Sequence, residues 1–124
     1  MGEGSIESYR DLRVWREAMD LVEACYRLSA GFPRREIFTM TAQLRRAAIS
    51  VPANIAERYG RDSTGSYVQY PKVAQGSLKE LETHLLLSQR LGFAPARDIE
   101  RVLERCAAVG KMLRSLIRSV QRAS

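Results

Sequence analysis

The last helical segment that the sequence predicts, from about Ala96 to Gln121, carries basic side chains at intervals of three and four residues. At about 100° per residue, these side chains fall on the face opposite the segment's apolar residues. The acidic residues on the segment are Asp98, Glu100 and Glu104, and none follows Glu104. A basic strip of this kind can contact the phosphates of a nucleic acid, but it can equally be an ordinary solvated face. The candidate nucleic-acid-binding residues are Arg97, Arg101, Arg105, Lys111, Arg114, Arg118 and Arg122.

The other residues with reactive side chains do not form a catalytic or metal-binding set. The single histidine, His84, stands among leucines with no nucleophile placed beside it. Glu80 and Glu82 could pair their carboxylates, but the Glu-x-x-His spacing of di-iron bundles is absent. Cys25 and Cys106 stand alone on apolar helical faces, which is typical of buried core thiols. We therefore predict that the protein is not an enzyme and binds neither a cofactor nor a metal.

The length of 124 residues suits a single domain over 1–124, in which residues 1–10 form a loosely ordered tail. The 20 basic residues exceed the 14 acidic ones by six, and 17 of the 20 are arginine. Guanidinium groups suit phosphate and guanine recognition. A GC-rich genome also raises arginine content everywhere, so this bias does not by itself decide the function.

Neither a membrane span nor an export signal is predicted. No run of about 18 apolar residues occurs. The first residues, MGEGS, lack a basic region followed by an apolar stretch. The sequence therefore predicts a cytoplasmic protein without membrane contact.

Four segments show the apolar spacing of amphipathic helices, with connections of roughly four to eight residues between them. Asp11 is the expected N-cap of the first segment. Pro52 should kink the second segment, and Pro71 should bend the third or delay its start to about Tyr70. Short connections place sequential helices antiparallel, so the predicted fold is all-α, a single antiparallel up-down four-helix bundle. The predicted segments are residues 12–29, 38–59, 66–91 and 96–121.

A row of polar residues follows one flank of the second segment at helical spacing. It can support hydrogen bonds and ion pairs within the helix, or supply a polar seam to another helix or subunit. Arg45 lies on the other flank, where contact with Glu80 or Glu82 is possible. The polar row comprises Gln43, Arg46, Ser50, Asn54, Glu57 and Arg61.

The run Leu85-Leu86-Leu87 cannot face a single core, because consecutive residues point in different directions around a helix. If Leu85 points inward, Leu87 lies about 200° away. Together with the wide apolar arc of the first segment, this predicts a second buried surface and hence self-association. Leu87 is the candidate interface residue.

Residues 43–57, QLRRAAISVPANIAE, resemble the signature of four-helix-bundle proteins encoded in intervening sequences of bacterial 23S ribosomal RNA genes. LRVW at 12–15, Gly60-Arg61 and AQGSLKELE at 74–82 extend the resemblance, which is close over about residues 8–92. Arg58, where glycine is usual, and Pro71, where an apolar residue is usual, depart from the pattern. The matching signature residues are Arg45, Arg46, Asn54, Glu57, Gly60, Arg61, Glu80 and Glu82.

The resemblance implies that the bundle assembles into a homopentameric ring. It also implies similarity to accessory proteins of diversity-generating retroelements, which are basic bundles that bind nucleic acid and a reverse transcriptase. Together with the basic strip, this favours a non-enzymatic, oligomeric protein that binds structured RNA or another nucleic acid. The alternative is a structural or protein-interaction module, in which a homo-oligomeric ring contacts a protein partner without binding nucleic acid.

Overall fold

The computed structural model describes residues 8–58 and 69–123, and this part of the chain is almost entirely helical. Helix α1 is Arg13–Ser29, α2 is Met40–Glu57, α3 is Gln69–Arg90 and α4 is Ala96–Ala123. Short 3₁₀ helices, Tyr9–Asp11 and Arg34–Glu36, precede α1 and α2. Residues 8–58 and 69–123 contain no strand, and the predicted all-α four-helix bundle is confirmed.

The four helices surround one apolar core. Contacts join α1 to α2, α2 to α3, α3 to α4 and α4 back to α1, so the helices occupy the corners of a square with α2 diagonal to α4. Each helix contributes side chains at three- and four-residue spacing, and burying one of the larger ones is worth roughly 1.5–3 kcal/mol. The fully buried side chains include Leu21, Cys25, Leu44, Val51, Ile55, Leu78, Leu81, Leu85, Ile99, Cys106, Val109 and Leu113.

The N-terminus of α1 differs from the prediction. Asp11 was expected at the N-cap, but Leu12 occupies that position with extended backbone and no side-chain hydrogen bond. The reason is the 3₁₀ turn Tyr9–Asp11, which is closed by the Leu12 amide donating to the Tyr9 carbonyl at 3.0 Å. Leu12 also packs against the core, so burial of an apolar side chain replaces the polar cap.

Both helical prolines face the core. Pro52 is buried inside α2, which continues to Glu57. Pro71 is buried at the third residue of α3, which begins at Gln69 in the described part of the chain.

Helix α3 ends in a left-handed turn that leads into α4. Gly92 has φ +72°, the only positive φ in the described residues. The Gly92 amide donates to the Gln89 carbonyl at 3.2 Å, and the Phe93 amide donates to the Ser88 carbonyl at 3.0 Å. This is the Schellman pattern, which satisfies the last carbonyls of a helix. The turn brings the Phe93 ring to 5.8 Å from that of Phe32, closing this end of the core.

Candidate nucleic-acid interface

The basic residues of α4 are all exposed, and none forms an ion pair within the described residues. They do not form one row. At about 100° per residue, Arg97, Arg101 and Arg105 occupy an arc of about 80° on the α1 side, and the four residues from Lys111 to Arg122 occupy a similar arc on the α3 side. The centres of the two arcs lie about 100° apart. We call them the α1-side group and the α3-side group, the latter comprising Lys111, Arg114, Arg118 and Arg122.

The α1-side group borders a groove between α1 and α4 with a volume of about 380 Å³. Arg101 and Arg105 line it from α4, and Arg27 lines it from α1. Arg27 forms an ion pair with Glu23, which lies one turn earlier in α1, and Arg27 Nη2 is 3.1 Å from Glu23 Oε1. Asp98 also lines this groove, so acidic groups accompany the basic ones on the α1 side.

The α3-side group begins at a narrower groove of about 220 Å³ between α3 and α4. Lys111 and Arg114 line it together with Lys79 and Glu82, whose Nζ and Oε1 atoms are 3.2 Å apart. Gly110 is buried where α4 packs on α3, and a Cβ there would lie 3.4 Å from Leu78 Cδ2. Beyond this groove, Arg118 and Arg122 continue the group without any acidic residue on α4.

The polar row of α2 is in part a seam to α3. The hydroxyls of Ser50 and Ser77 lie 2.7 Å apart across the two helices. Asn54 Nδ2 donates to the Ser50 carbonyl at 2.8 Å and to its hydroxyl at 3.0 Å. The signature residue Asn54 therefore fixes the orientation of a side chain that joins two helices of one bundle.

Arg45 connects α2 to α1 and does not reach Glu80 or Glu82. Its Nε donates to Ser29 Oγ at 2.9 Å, and its guanidinium lies 4.4 Å from the centroid of the Tyr26 ring. Ser29 Oγ in turn donates to the Cys25 carbonyl at 2.7 Å. This set of contacts gives Arg45 a structural role, because it is half-buried and has both a hydrogen bond and a cation–π contact.

The remaining signature residues are scattered. Arg46 and Glu57 are exposed on α2. Glu80 Oε2 lies 3.2 Å from His84 Nε2 on α3, and Glu82 pairs with Lys79 as described above. Gly60 and Arg61 lie outside the described residues. The signature thus does not form a single site in the described part of the bundle.

The predicted interface residue Leu87 is 43% exposed. It belongs to a line of side chains on the outer face of α3 at alternating four- and three-residue spacing, which we call the α3 stripe. Its apolar members Val73, Leu87 and Leu91 flank a polar centre at Glu80 and His84. The stripe comprises Val73, Ser77, Glu80, His84, Leu87 and Leu91.

A second exposed apolar region was not predicted. Phe38 is 89% exposed, and Ile37 and Ile49 are about half exposed. A shallow groove of about 460 Å³ is lined by Ile37 and Ile49 but not by Phe38, and we call this region the α1/α2 surface. The region was not predicted, because Phe38 was expected to begin the second helix, whereas α2 begins at Met40. The groove is lined by Tyr26, Ile37, Thr41, Ala42, Arg45, Arg46 and Ile49.

Among the described residues, no set of three or more His, Cys, Asp or Glu side chains is grouped closely enough to hold a metal ion. No described helix combines the length and apolar character that crossing a membrane requires.

The fold and the surface charge place the protein among small four-helix bundles in which one helix has a basic solvent-facing surface. Residues 10–115 match the 23S rRNA-intervening sequence proteins, and the chain belongs to that family. The crystal structure of a protein of unknown function from the S23 ribosomal protein family of Bacteroides thetaiotaomicron is similar in fold. Its TM-score is 0.78 at 22% identity, over 85% of this chain and 95% of that one. No curated protein matches the sequence.

Proposed function

We propose that this chain is a cytoplasmic, non-enzymatic RNA-binding protein that works as a homo-oligomer. The observation that supports the proposal is the α3-side group: Lys111, Arg114, Arg118 and Arg122 are exposed, form no ion pair with any described residue and share one arc of α4. The group extends over twelve residues of α4, and its first and last members are about 16 Å apart along the helix axis. An array of this kind can neutralise several phosphates of a structured RNA and release their counterions.

The α3-side group supports the proposal better than the α1-side group does. Asp98, Glu100 and Glu104 all lie in the first part of α4, each within one turn of Arg97, Arg101 or Arg105, although Glu100 and Glu104 share the angular arc of the α3-side group. Beyond Glu104 the helix carries no acidic residue. Phosphate contacts are therefore expected mainly from the second half of α4.

The two groups supply a matched pair of variants. Changing Arg114, Arg118 and Arg122 to Gln should weaken binding to a labelled structured RNA by tenfold or more. The dependence on salt should also become weaker: a plot of the logarithm of the binding constant against the logarithm of salt concentration should be less steep by about two to three, since each phosphate contact contributes about 0.7–0.9 to its steepness. Changing Arg97, Arg101 and Arg105 to Gln removes the same charge and should have a clearly smaller effect.

Helical content and assembly should persist in both variants, because all six side chains point away from the core. If the parent protein fails to bind RNA at about 50 mM salt, where electrostatic contacts are strong, the proposal is wrong. Equal losses in both variants would indicate attraction by net charge without a localised site. Unchanged affinity in both would move the interface elsewhere, with Arg34, Arg35, Arg58 and Arg61 as the next candidates.

A protein-interaction module is the second candidate, and the exposed apolar residues of the α1/α2 surface favour it. In that case, the homo-oligomer would present a surface to a protein partner and the charge of α4 would be incidental. Family resemblance suggests a pentamer for either function. The salt-dependent RNA binding described above separates the two candidates.

A further inference from the structure

The α3-side group begins at the groove between α3 and α4, which we call the α3/α4 groove. Its volume is about 220 Å³. Leu78 and Ala107 contribute apolar lining, and Gly110 lines the groove without a side chain. Gln75 and Glu82 also line it, and both are half-buried. Apolar walls with a few fixed polar groups are typical of sites that bind a small ring system.

The polar groups of the groove have unused hydrogen-bonding capacity. The Gln75 amide makes no hydrogen bond to a described residue. The side chain of Glu82 is 23% exposed, and its Oε1 lies 3.2 Å from Lys79 Nζ. Its Oε2 accepts no hydrogen bond from the described residues. Half-buried groups of this kind favour a ligand that supplies the missing donors and acceptors.

The charges are ordered along the groove. Because α3 and α4 are antiparallel and Leu78 lies beside Gly110, Glu82 and Gln75 lie toward opposite ends. These two side chains are seven residues apart, or about 10 Å along α3. Arg114 lies toward the Gln75 end, and it forms no ion pair with Glu82. One end therefore offers a carboxylate and the other a guanidinium.

We propose that the α3/α4 groove binds one unpaired RNA base that carries an exocyclic amino group, namely adenine, cytosine or guanine. Arg114 Nη1 lies 3.7 Å from the position of a Cβ at Gly110, so the guanidinium is placed against the groove wall. Unpaired RNA bases stack on guanidinium groups and hydrogen-bond through their edges. The amino group of the base donates to Glu82, as carboxylates accept from cytosine N4. Uracil has no amino group to donate.

This inference rests on the RNA binding in the proposed function and is independent of assembly. The test uses three hairpin RNAs that differ only in a bulge: one without a bulge, one with a bulged uridine and one with a bulged cytidine. The parent protein should bind the cytidine hairpin roughly fivefold or more tightly than the other two, since an edge contact of this kind discriminates between bases. Bulged adenosine and guanosine should also be preferred over uridine.

Glu82→Gln distinguishes recognition of the base from attraction by charge. The substitution removes a negative charge beside the α3-side group, so charge alone would strengthen binding to every hairpin. Loss of the carboxylate should instead abolish most of the preference, with the cytidine and uridine hairpins binding within about twofold of each other, since a charged acceptor makes the stronger hydrogen bond. A uniform gain in affinity with the preference intact would overturn the inference.

Two substitutions on α4 test whether the groove itself is the site. Ala107 and Ala108 are both exposed, but only Ala107 lines the groove. Ala107→Leu should fill the groove and reduce the affinity for the cytidine hairpin to that for the hairpin without a bulge. The salt dependence should not change, because no charge is removed. Ala108→Leu is the matched control and should keep the preference, and circular dichroism checks that both variants are folded.

The outcomes separate this inference from the proposed function. A parent protein that binds all three hairpins equally would overturn the base site and leave RNA binding intact. A parent that binds none of them at about 50 mM salt, where electrostatic contacts are strong, would overturn both. A cytidine preference that persists in folded Ala107→Leu, or that is lost equally in Ala108→Leu, would also overturn the base site.

Discussion

The two cysteines show how the core controls single residues. Cys25 and Cys106 are both fully buried, as the sequence predicted. Burial raises the pKa of the Cys25 thiol from 9.0 to about 12. Burial also raises the pKa of Cys106, and the neighbouring Cys25 raises it further. Since only the thiolate is nucleophilic, neither side chain is reactive in the folded bundle near neutral pH.

We expect an alkylating reagent at pH 8 to modify the folded protein only as fast as it unfolds, and to modify both thiols at once in urea. The same pKa shifts make stability depend on pH. Above pH 9 the unfolded chain releases thiol protons that the folded chain retains, so the free energy of unfolding should fall as the pH rises from about 9 toward about 12. Urea titrations at several pH values measure this, and a Cys25→Ala/Cys106→Ala variant should show a smaller fall. Rapid labelling of either thiol in the folded protein would contradict the burial argument.

At the scale of the helices, two glycines of the α3 region should respond oppositely to alanine. Gly92 has φ +72° in the turn after α3, where an L side chain is strained. Gly92→Ala should therefore destabilise the protein by about 1 kcal/mol. Gly76 lies inside α3 with nothing within 4 Å of an added Cβ. Gly76→Ala should stabilise it by about 0.5–1 kcal/mol through helix propensity.

Urea unfolding at one fixed protein concentration compares the two variants with the parent, because association itself adds apparent stability. The left-handed turn would be in doubt if Gly92→Ala were neutral. A destabilised Gly76→Ala protein would show that another chain contacts that position.

The helices themselves were largely predictable, since Pro95 and the apolar spacing place the start of α4 at Ala96, where the structure has it. Besides the N-terminus of α1, the start of α2 is an exception, and it involves local polar competition. Helix α2 was predicted from Phe38 but begins at Met40, because Glu36 Oε1 accepts hydrogen bonds from Thr39 Oγ1 at 2.7 Å and the Met40 amide at 3.3 Å. The bond from Thr39 is the main reason that the pKa of the Glu36 carboxyl is lowered.

The site was less predictable than the helices. The seven basic residues of α4 were predicted, and helical spacing alone divides them into two groups, but packing is needed to show that one group borders α1 and the other borders α3. The contact of Arg45 with Ser29 spans sixteen residues and leaves no local signal in the sequence. The α1/α2 surface also leaves no local signal in the sequence, since folding brings Tyr26, Ile37 and Ile49 together from three separate parts of the chain.

At the scale of the whole molecule, the square arrangement separates the exposed apolar regions from the basic groups. Helix α2 lies next to the α1/α2 surface and contacts the α3 stripe through Ser50 and Ser77, whereas α4 lies diagonally opposite and carries the basic groups. A homo-oligomer of the kind proposed would display one α3-side group per copy. Several such groups held at fixed spacing can bind one RNA together, which raises affinity without any new contact.

The last prediction follows from that arrangement and uses Leu87→Glu. Because Leu87 is 43% exposed, the variant should keep its helical content while losing the assembly. Its affinity for a short RNA that fits one copy should stay close to that of the parent, since α4 is unchanged. Its affinity for a long structured RNA should fall by tenfold or more, because simultaneous binding by several copies is lost.

Filter binding with the two RNAs and light scattering on the same samples make the comparison. An equal loss on both RNAs would mean that the substitution acts on RNA directly, and an unchanged affinity for the long RNA in a monomeric variant would mean that one copy is sufficient.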